Sequence, residues 1–353
     1  MKQEYSPYKI VHHQSHLNEL KAGRQPNPIH LQIVPTNSCN HFCKMCCYRI
    51  PNSLSNQQFD KNDFLSYEKI VETLDSAIKL GIKSIEITGG GESLTHPKIY
   101  PILKEILNRN IDLALVTNGS LLNEKLCELL SHSKWVRISL DAGFHKTYSD
   151  FRKTSSDSYV SVLNKIKCLV KYRKNNIIGV GFVVNNNNYT EIFHAAAVCK
   201  DMGVDNFRIS AAFNPKGYNY FKSFLTEVTA LANKTKEELE DDGFTVFNLF
   251  DSRIKDMAKG VQNYKFCPIK ELQVYLGADY NLYTCCTLSY NTKGLIGSIK
   301  NQSLYALWNS KEKKEKYAAH NPSIMCQHPC LYKDKNLFMN YCIEKYPIHA
   351  NFI

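Results

Sequence analysis

The stretch His30-Leu31-Gln32-Ile33-Val34-Pro35-Thr36-Asn37-Ser38-Cys39-Asn40-His41-Phe42-Cys43-Lys44-Met45-Cys46-Cys47 decides how the rest of the chain is read. Leu31–Val34 is a short apolar run closed by a proline, the pattern of a buried strand. The loop after it carries thiols at i, i+4 and i+7, on Cys39, Cys43 and Cys46. Thiolates are the general ligands of iron–sulfur clusters, and three of them can hold three irons of a cubane. The fourth iron then has no protein ligand and is open to a substrate. The competing assignment is zinc, whose structural sites take four protein ligands. Cys47 is a poor fourth, because adjacent side chains point in different directions.

Outward from this loop, strand-like and helix-like segments alternate. The strand-like runs are Leu31–Val34, Ser84–Thr88, Leu113–Thr117, Val136–Leu140, Ile178–Val184 and Phe207–Ser210. Amphipathic segments lie between them: Tyr67–Leu80 (with Ile70, Leu74 and Ile78 on one face), Pro97–Asn108, Tyr159–Lys174 and Thr190–Met202. Such alternation makes a parallel sheet with right-handed crossovers. The expected fold is α/β: an N-terminal segment over 1–29, then a partial (β/α)6 TIM-like barrel over 30–213. Residues 214–262 form a bridging region, with a helix at Lys222–Glu240 and a short strand at Thr245–Leu249. Residues 263–353 read as a smaller C-terminal α+β domain, its strands Leu272–Leu276 and Leu282–Cys285 flanking a turn at Gly277–Asp279.

In such folds ligands bind at the C-terminal ends of the strands, and the chemistry-bearing residues fall there. The cysteine loop follows the first strand. Thr88-Gly89-Gly90-Gly91-Glu92 follows the second, Thr117-Asn118-Gly119 ends the third, and Arg137-Ile138-Ser139-Leu140-Asp141 ends the fourth. Glycines let backbone approach a ligand closely, and Glu92 can accept hydrogen bonds from an ammonium group. A plain glycine turn, an Asn-Gly turn and a solvated strand end are the structural alternatives for these three segments.

The Cys-x3-Cys-x2-Cys spacing after the first strand, its entry Pro35-Thr36-Asn37-Ser38-Cys39-Asn40 and the glycine–glutamate segment together resemble the radical S-adenosylmethionine (SAM) superfamily over about 180 residues. Met45 stands where the family often has an aromatic residue, and Ser93 where it often has proline. The resemblance implies a [4Fe–4S] cluster on Cys39, Cys43 and Cys46, and SAM bound through Gly89, Gly90, Gly91 and Glu92. It places Asn118, Ser139 and Asp141 at SAM or its loop, and Gly179–Val184 beside adenine. Arg152 and Arg208 are candidate carboxylate or substrate contacts. The chemistry implied is reductive cleavage of SAM to methionine and a 5′-deoxyadenosyl radical, which takes hydrogen from a substrate. A flavodoxin- or ferredoxin-like one-electron reductant is the expected partner.

A second cysteine group comprises Cys267, Cys285, Cys286 and the segment Cys326-Gln327-His328-Pro329-Cys330. It resembles the SPASM extension or its shortened twitch form, which holds auxiliary [4Fe–4S] clusters. The full form needs about seven cysteines; here at most six remain, and Cys342 reads as part of a helix. One auxiliary cluster on Cys267, Cys285, Cys326 and Cys330 is expected. Zinc, an empty site, or Cys286 in place of Cys285 are the alternatives, since a strand faces only one of two neighbours inward.

Composition sets the remaining bounds. Of 353 residues, 43% are hydrophobic and 22% charged, ordinary globular usage. No run of eighteen apolar residues marks a membrane helix. The polar Met1–Tyr8 does not read as a signal peptide, so a cytoplasmic location is expected. The net charge of +11 favours anionic partners, nucleic acid among them. The lysines are dispersed, however, and the run Lys311, Lys313, Lys314, Lys316 alternates with glutamates like a solvated helix face. Thirteen cysteines in a reducing compartment indicate metal or redox chemistry. Cys127, Cys168 and Cys199, each alone in an apolar helical pattern, read as small buried hydrophobes.

The leading functional expectation is an oxidoreductase acting on a small polar metabolite, such as an amino sugar or cyclitol alcohol, with the auxiliary cluster as electron acceptor. A ribosomal-peptide maturase is the rival, disfavoured by the short N-terminal segment and the incomplete cysteine set. A nucleic-acid-modifying enzyme, supported only by charge, would show strong salt dependence of binding. An iron–sulfur electron carrier would leave Glu92 and its three glycines without purpose.

Overall fold

The computed structural model describes residues 4–326 and 329–344; Gln327 and His328 of the second cysteine group lie outside them. Six parallel strands follow the expected order: β1 (His30–Ile33), β2 (Ser84–Ile87), β3 (Asp112–Thr117), β4 (Trp135–Ser139), β5 (Ile177–Val184) and β6 (Asn206–Ala211). The short strand of the bridging region, β7 (Thr245–Asn248), pairs parallel with β6 and extends the same sheet. β8 (Gln273–Leu276) pairs parallel with β1, and β9 (Asn281–Tyr283) and β10 (Leu295–Ser298) continue antiparallel from it. The result is one ten-stranded sheet with β1 near its middle. The C-terminal strands are therefore joined to the barrel wall by backbone hydrogen bonds.

The alternation of strand residues builds two environments. Leu31, Ile33, Ile85, Ile87, Leu115, Val136, Ile138, Ile178 and Val180 are fully buried on the helix-covered face. Their neighbours Gln32, Glu86, Arg137, Ser139 and Arg208 point the other way, into the lumen.

The helix Tyr67–Leu80 shows how the outer layer is fixed. Ser66 caps it by accepting from the Lys69 N–H, and Gly81 closes it at φ 76°, where a side chain would be strained. Its buried face is Ile70, Leu74 and Ala77. Ile78, expected on that face, is 51% exposed; at 3.6 residues per turn it lies about 80° round from Ile70. The lysine run also departs from expectation. In the helix Lys311–Ala319, Lys311 and Lys316 are solvated, but Lys313 is 1% exposed. It shares Glu271 with the buried Lys270.

Candidate active site

The loop leaving β1 is held by backbone bonds before any cofactor is considered. Asn37, fully buried, donates from Nδ2 to the Asp60 carbonyl at 2.8 Å and accepts from the Tyr290 hydroxyl at 2.7 Å. The glycine segment after β2 is zipped onto this loop: Gly91 N–H donates to Thr36 O at 3.2 Å, and Glu92 N–H to Ser38 O at 2.8 Å. The approach is close enough that a Cβ at Gly91 would collide with the Ser38 carbonyl, and one at Gly90 with the Asn37 side chain. Glycine is required there for contact. The carbonyls of Gly89, Gly90 and Gly91 accept no hydrogen bond from the described residues.

The Glu92 carboxylate meets three donors of the protein. Its Oε1 accepts from Leu94 N–H at 3.1 Å and the Thr117 hydroxyl at 2.5 Å; its Oε2 accepts from Asn118 N–H at 2.7 Å. The carboxylate thus ties the end of β2 to the end of β3. Burial raises its pKa against the pull of those three donors. Asn118 is likewise a loop organiser, donating to Asn40 Oδ1 at 3.0 Å and accepting from Ser120 N–H and hydroxyl.

Asp141 sits at φ 57°, a left-handed conformation that aims both carboxylate oxygens inward. Oδ1 accepts from Val183 N–H at 2.8 Å, and Oδ2 from Arg152 Nη2 at 2.5 Å. Arg152, at the end of the helix His145–Arg152, also donates to the Ser139 carbonyl at 2.6 Å, and its Nη1 reaches Cys43 Sγ at 3.8 Å. Burial would depress the Arg152 pKa, but the charges of Asp141 and Cys43 outweigh it and raise it. The carbonyls of Phe151 and Arg152 accept from Lys44 and Phe42 N–H, so this helix end grips the cysteine loop. Phe42 and Arg49, which stack at 4.4 Å, border a cleft of about 820 Å³ that opens on Cys39. Burial pushes the Cys39 thiol up to about 11 and raises Cys46. Among the described residues no three His, Cys, Asp or Glu side chains close around a single metal ion.

The second group assembles from the segment before β8 (Cys267), the turn after β9 (Cys285 and Cys286) and the segment before the helix Lys333–Ile343 (Cys326 and Cys330). Asn336 of that helix accepts from the Cys267 thiol at 3.6 Å and donates to Cys330 Sγ at 3.9 Å. The Tyr264 hydroxyl donates to Cys330 at 3.3 Å, and His320 Nε2 lies 3.9 Å from Cys326 Sγ. Burial drives Cys267 and Cys326 up to about 12 and also raises Cys285 well above the ordinary thiol range. Cys285 lies within electrostatic reach of Cys286, Cys330 and Cys326, and Cys286 within reach of Cys330. The Cys286 Sγ lies 3.5 Å from the Tyr332 hydroxyl, which accepts from the Nε2 of the lumen-lining Gln273 at 3.0 Å.

A radical SAM superfamily model matches residues 33–210, and a model of an iron–sulfur cluster-binding domain, SPASM, matches 267–332. This chain belongs to the radical SAM superfamily. Its membership brings a [4Fe–4S] cluster that binds SAM and, from the SPASM domain, an auxiliary cluster. The residues present suit both: clustered thiols at two places, a cationic guanidinium beside one sulfur, and open backbone acceptors beside the cleft. This radical SAM chain is 29% identical over 234 residues to a GTP 3′,8-cyclase of Aliarcobacter butzleri, covering 60% of this chain and 69% of that one. It is 29% identical over 186 residues to the Bacillus subtilis antilisterial bacteriocin subtilosin biosynthesis protein AlbA, covering 52% and 39%. The chain thus spans about two thirds of the cyclase and well under half of AlbA. In fold it is similar to Streptococcus suis SuiB bound to S-adenosylmethionine, with a TM-score of 0.65 at 16% identity, over 96% of this chain and 80% of that one.

Sequence reasoning missed how Arg152 works. Its pairing with Asp141 and Cys43 joins residues 11 and 109 positions away. Only the inward-facing register of β4 and the helix after it reveals that geometry. The described residues contain no helix long and apolar enough to cross a membrane.

Proposed function

We propose that this enzyme cleaves SAM at Cys39, Cys43 and Cys46 and oxidises a substrate held in the barrel lumen, with the C-terminal cysteines' cluster as electron acceptor. The observation that carries this reading is the short polar path into the lumen from Cys286, the chain neighbour of the proposed ligand Cys285. Cys286 contacts Tyr332, whose hydroxyl receives a bond from Gln273 Nε2 at 3.0 Å; Gln273 in turn donates to Gln32 Oε1 on β1 at 2.9 Å. When bound, the clusters supply an electron to break the SAM carbon–sulfur bond and a sink for the substrate's electron.

The chain's own residues do the rest. The carbonyls of Gly89–Gly91 receive the methionyl ammonium. Glu92 and Asn118 hold the loops that carry those carbonyls. Arg152 offsets the charge of Cys43, and the Ser139 hydroxyl, bonded to none of the described residues, meets SAM from β4. Cys267, Cys285, Cys326 and Cys330 hold the auxiliary cluster.

A small polar metabolite, such as an amino sugar or cyclitol alcohol, fits a lumen lined by Gln32, Glu86, Arg137 and Ser139. A peptide is the second reading, favoured by the likeness to AlbA. Protein reconstituted anaerobically with iron, sulfide, SAM and a flavodoxin-type or chemical reductant should form 5′-deoxyadenosine. Cys43→Ala should abolish it; formation by that variant would sink the proposal. Amino sugars and cyclitols, or a peptide pool, are then added separately. The class that raises the yield above the substrate-free level decides between the two.

A further inference from the structure

Charge in the lumen does not balance. Arg137 of β4 and Arg208 of β6 converge over Gly181 of β5, where a Cβ would lie 3.6 Å from Arg137 Cδ and 3.8 Å from Arg208 Nη2. Arg253, from the helix Phe250–Lys259 packed on β6, adds a third guanidinium within electrostatic reach of Arg208. Three carboxylates of the described residues lie within electrostatic reach, and none forms an ion pair with these arginines: Glu86 faces His30 at 3.8 Å, Asp141 is paired with Arg152, and Asp256 with Lys333.

A guanidinium carries five N–H donors. Among the described residues the three side chains make one hydrogen bond, from Arg137 Nη1 to the Tyr5 hydroxyl at 3.4 Å. The Arg208 Nε is buried without a partner. Their other contacts are aromatic faces: Arg208 lies 5.6 Å from the Tyr5 ring, Arg253 5.6 Å from Phe213, and Arg137 5.3 Å from Trp135. A ring face accommodates a cation but accepts little from the in-plane N–H groups. All three are half-buried, and cations withdrawn from water are ordinarily paired. Burial, and then the charge of Arg137, bring the Arg208 pKa down to about 10.

We infer that this layer receives an anionic group of the substrate, a carboxylate or a phosphate, in the fork of Arg208 and Arg137. The inference rests on the proposal that the lumen is the substrate chamber, and among the small polar metabolites of that reading it selects those that carry a phosphate or a carboxylate. It also sets the height of that group in the lumen. Ser139, two residues beyond Arg137 and level with Gly181 and Arg208, gives its carbonyl to the arginine that touches Cys43. Two residues of strand span about 6.6 Å. Arg137 thus rises from one layer below to meet Arg208 over Gly181, and the fork holds the anion at the level of Ser139.

The test uses reconstituted protein with SAM, titrated with inorganic phosphate and, separately, acetate at constant ionic strength. The thermal midpoint is the readout. At least one anion should raise it saturably in the wild type. In Arg208→Gln and Arg137→Gln the half-saturating concentration should rise about tenfold or more, as expected for loss of a charge-assisted fork. Arg208→Lys, which keeps the charge but not the planar fork, should fall between, and replaces the glutamine variant if that one loses iron or native circular dichroism. The tighter anion names the source, phosphate or carboxylate. No saturable shift with either anion, or identical titrations in wild type and variants, overturns the inference. Wild-type 5′-deoxyadenosine formation in the same preparations reports separately on the parent reading: its absence beside an intact titration would remove the reaction and keep the site.

Discussion

Cys39, Cys43 and Cys46 come from eight consecutive residues, whereas Cys267, Cys285, Cys326 and Cys330 are gathered from sixty-four. The first set lies on one loop beside an open cleft, with a cationic arginine at one sulfur. The second is assembled from three separate segments, and its sulfurs lie against Asn336, Tyr264 and His320, with Arg253 and Lys270 within electrostatic reach. The contrast matches two tasks. A cluster that must expose an iron needs ligands on one side and room on the other. A cluster that only exchanges electrons is best enclosed by ligands and weak donors that tune it.

Replacing Cys39, Cys43 and Cys46 together with alanine tests that division most severely. The triple variant should lose 5′-deoxyadenosine formation entirely yet keep about four irons per chain after anaerobic reconstitution. Iron falling to none would show that the two groups are not independent. Arg152→Gln comes next. It leaves Asp141 buried with only the Val183 N–H, and removal of one partner of a buried pair costs about 3–5 kcal/mol. Denaturant unfolding should show a loss of that order, and an unchanged midpoint would mean that Asp141 is satisfied without it.

The corresponding change at the second group is smaller. Asn336→Ala removes a group touching two sulfurs and should weaken auxiliary cluster retention about 10–100-fold, read as iron lost to a chelator, while the first cluster stays. Smallest is the effect of Lys313→Met. Burial lowers the Lys313 pKa from 10.5 to about 8, with Glu271 pulling the other way. Between those values the unfolded chain binds a proton that the folded chain does not, so this residue's contribution to stability rises with pH through that window. The wild type should gain stability relative to Lys313→Met from pH 8 to 10.5 in paired unfolding curves. A flat difference would show that Lys313 stays charged beside Glu271.

Much of this was legible in local pattern. The six barrel strands lie within a residue or two of their sequence expectations, because each is a short apolar run bounded by turn residues. The helical role of Cys342 was readable in the same way. Legibility ended where a residue's partner is far along the chain. Glu92 was legible as a carboxylate after a glycine turn, but not the three donors from the strand ends that its carboxylate clasps. Lys313 sat in an alternating charge run and is nonetheless buried, because Glu271 and Lys270 lie beneath that face of its helix.

By itself the sequence determined the strand–helix order, the two thiol groups and the family, since each depends on spacings within about a dozen residues. Tertiary structure alone decided that the C-terminal strands continue the barrel sheet through β1, that Arg152 serves Asp141 and Cys43, and that Arg137 and Arg208 meet over Gly181. Those outcomes follow from strand register and closure of the sheet. They are set by the summed burial of many residues, and no local stretch of sequence encodes them.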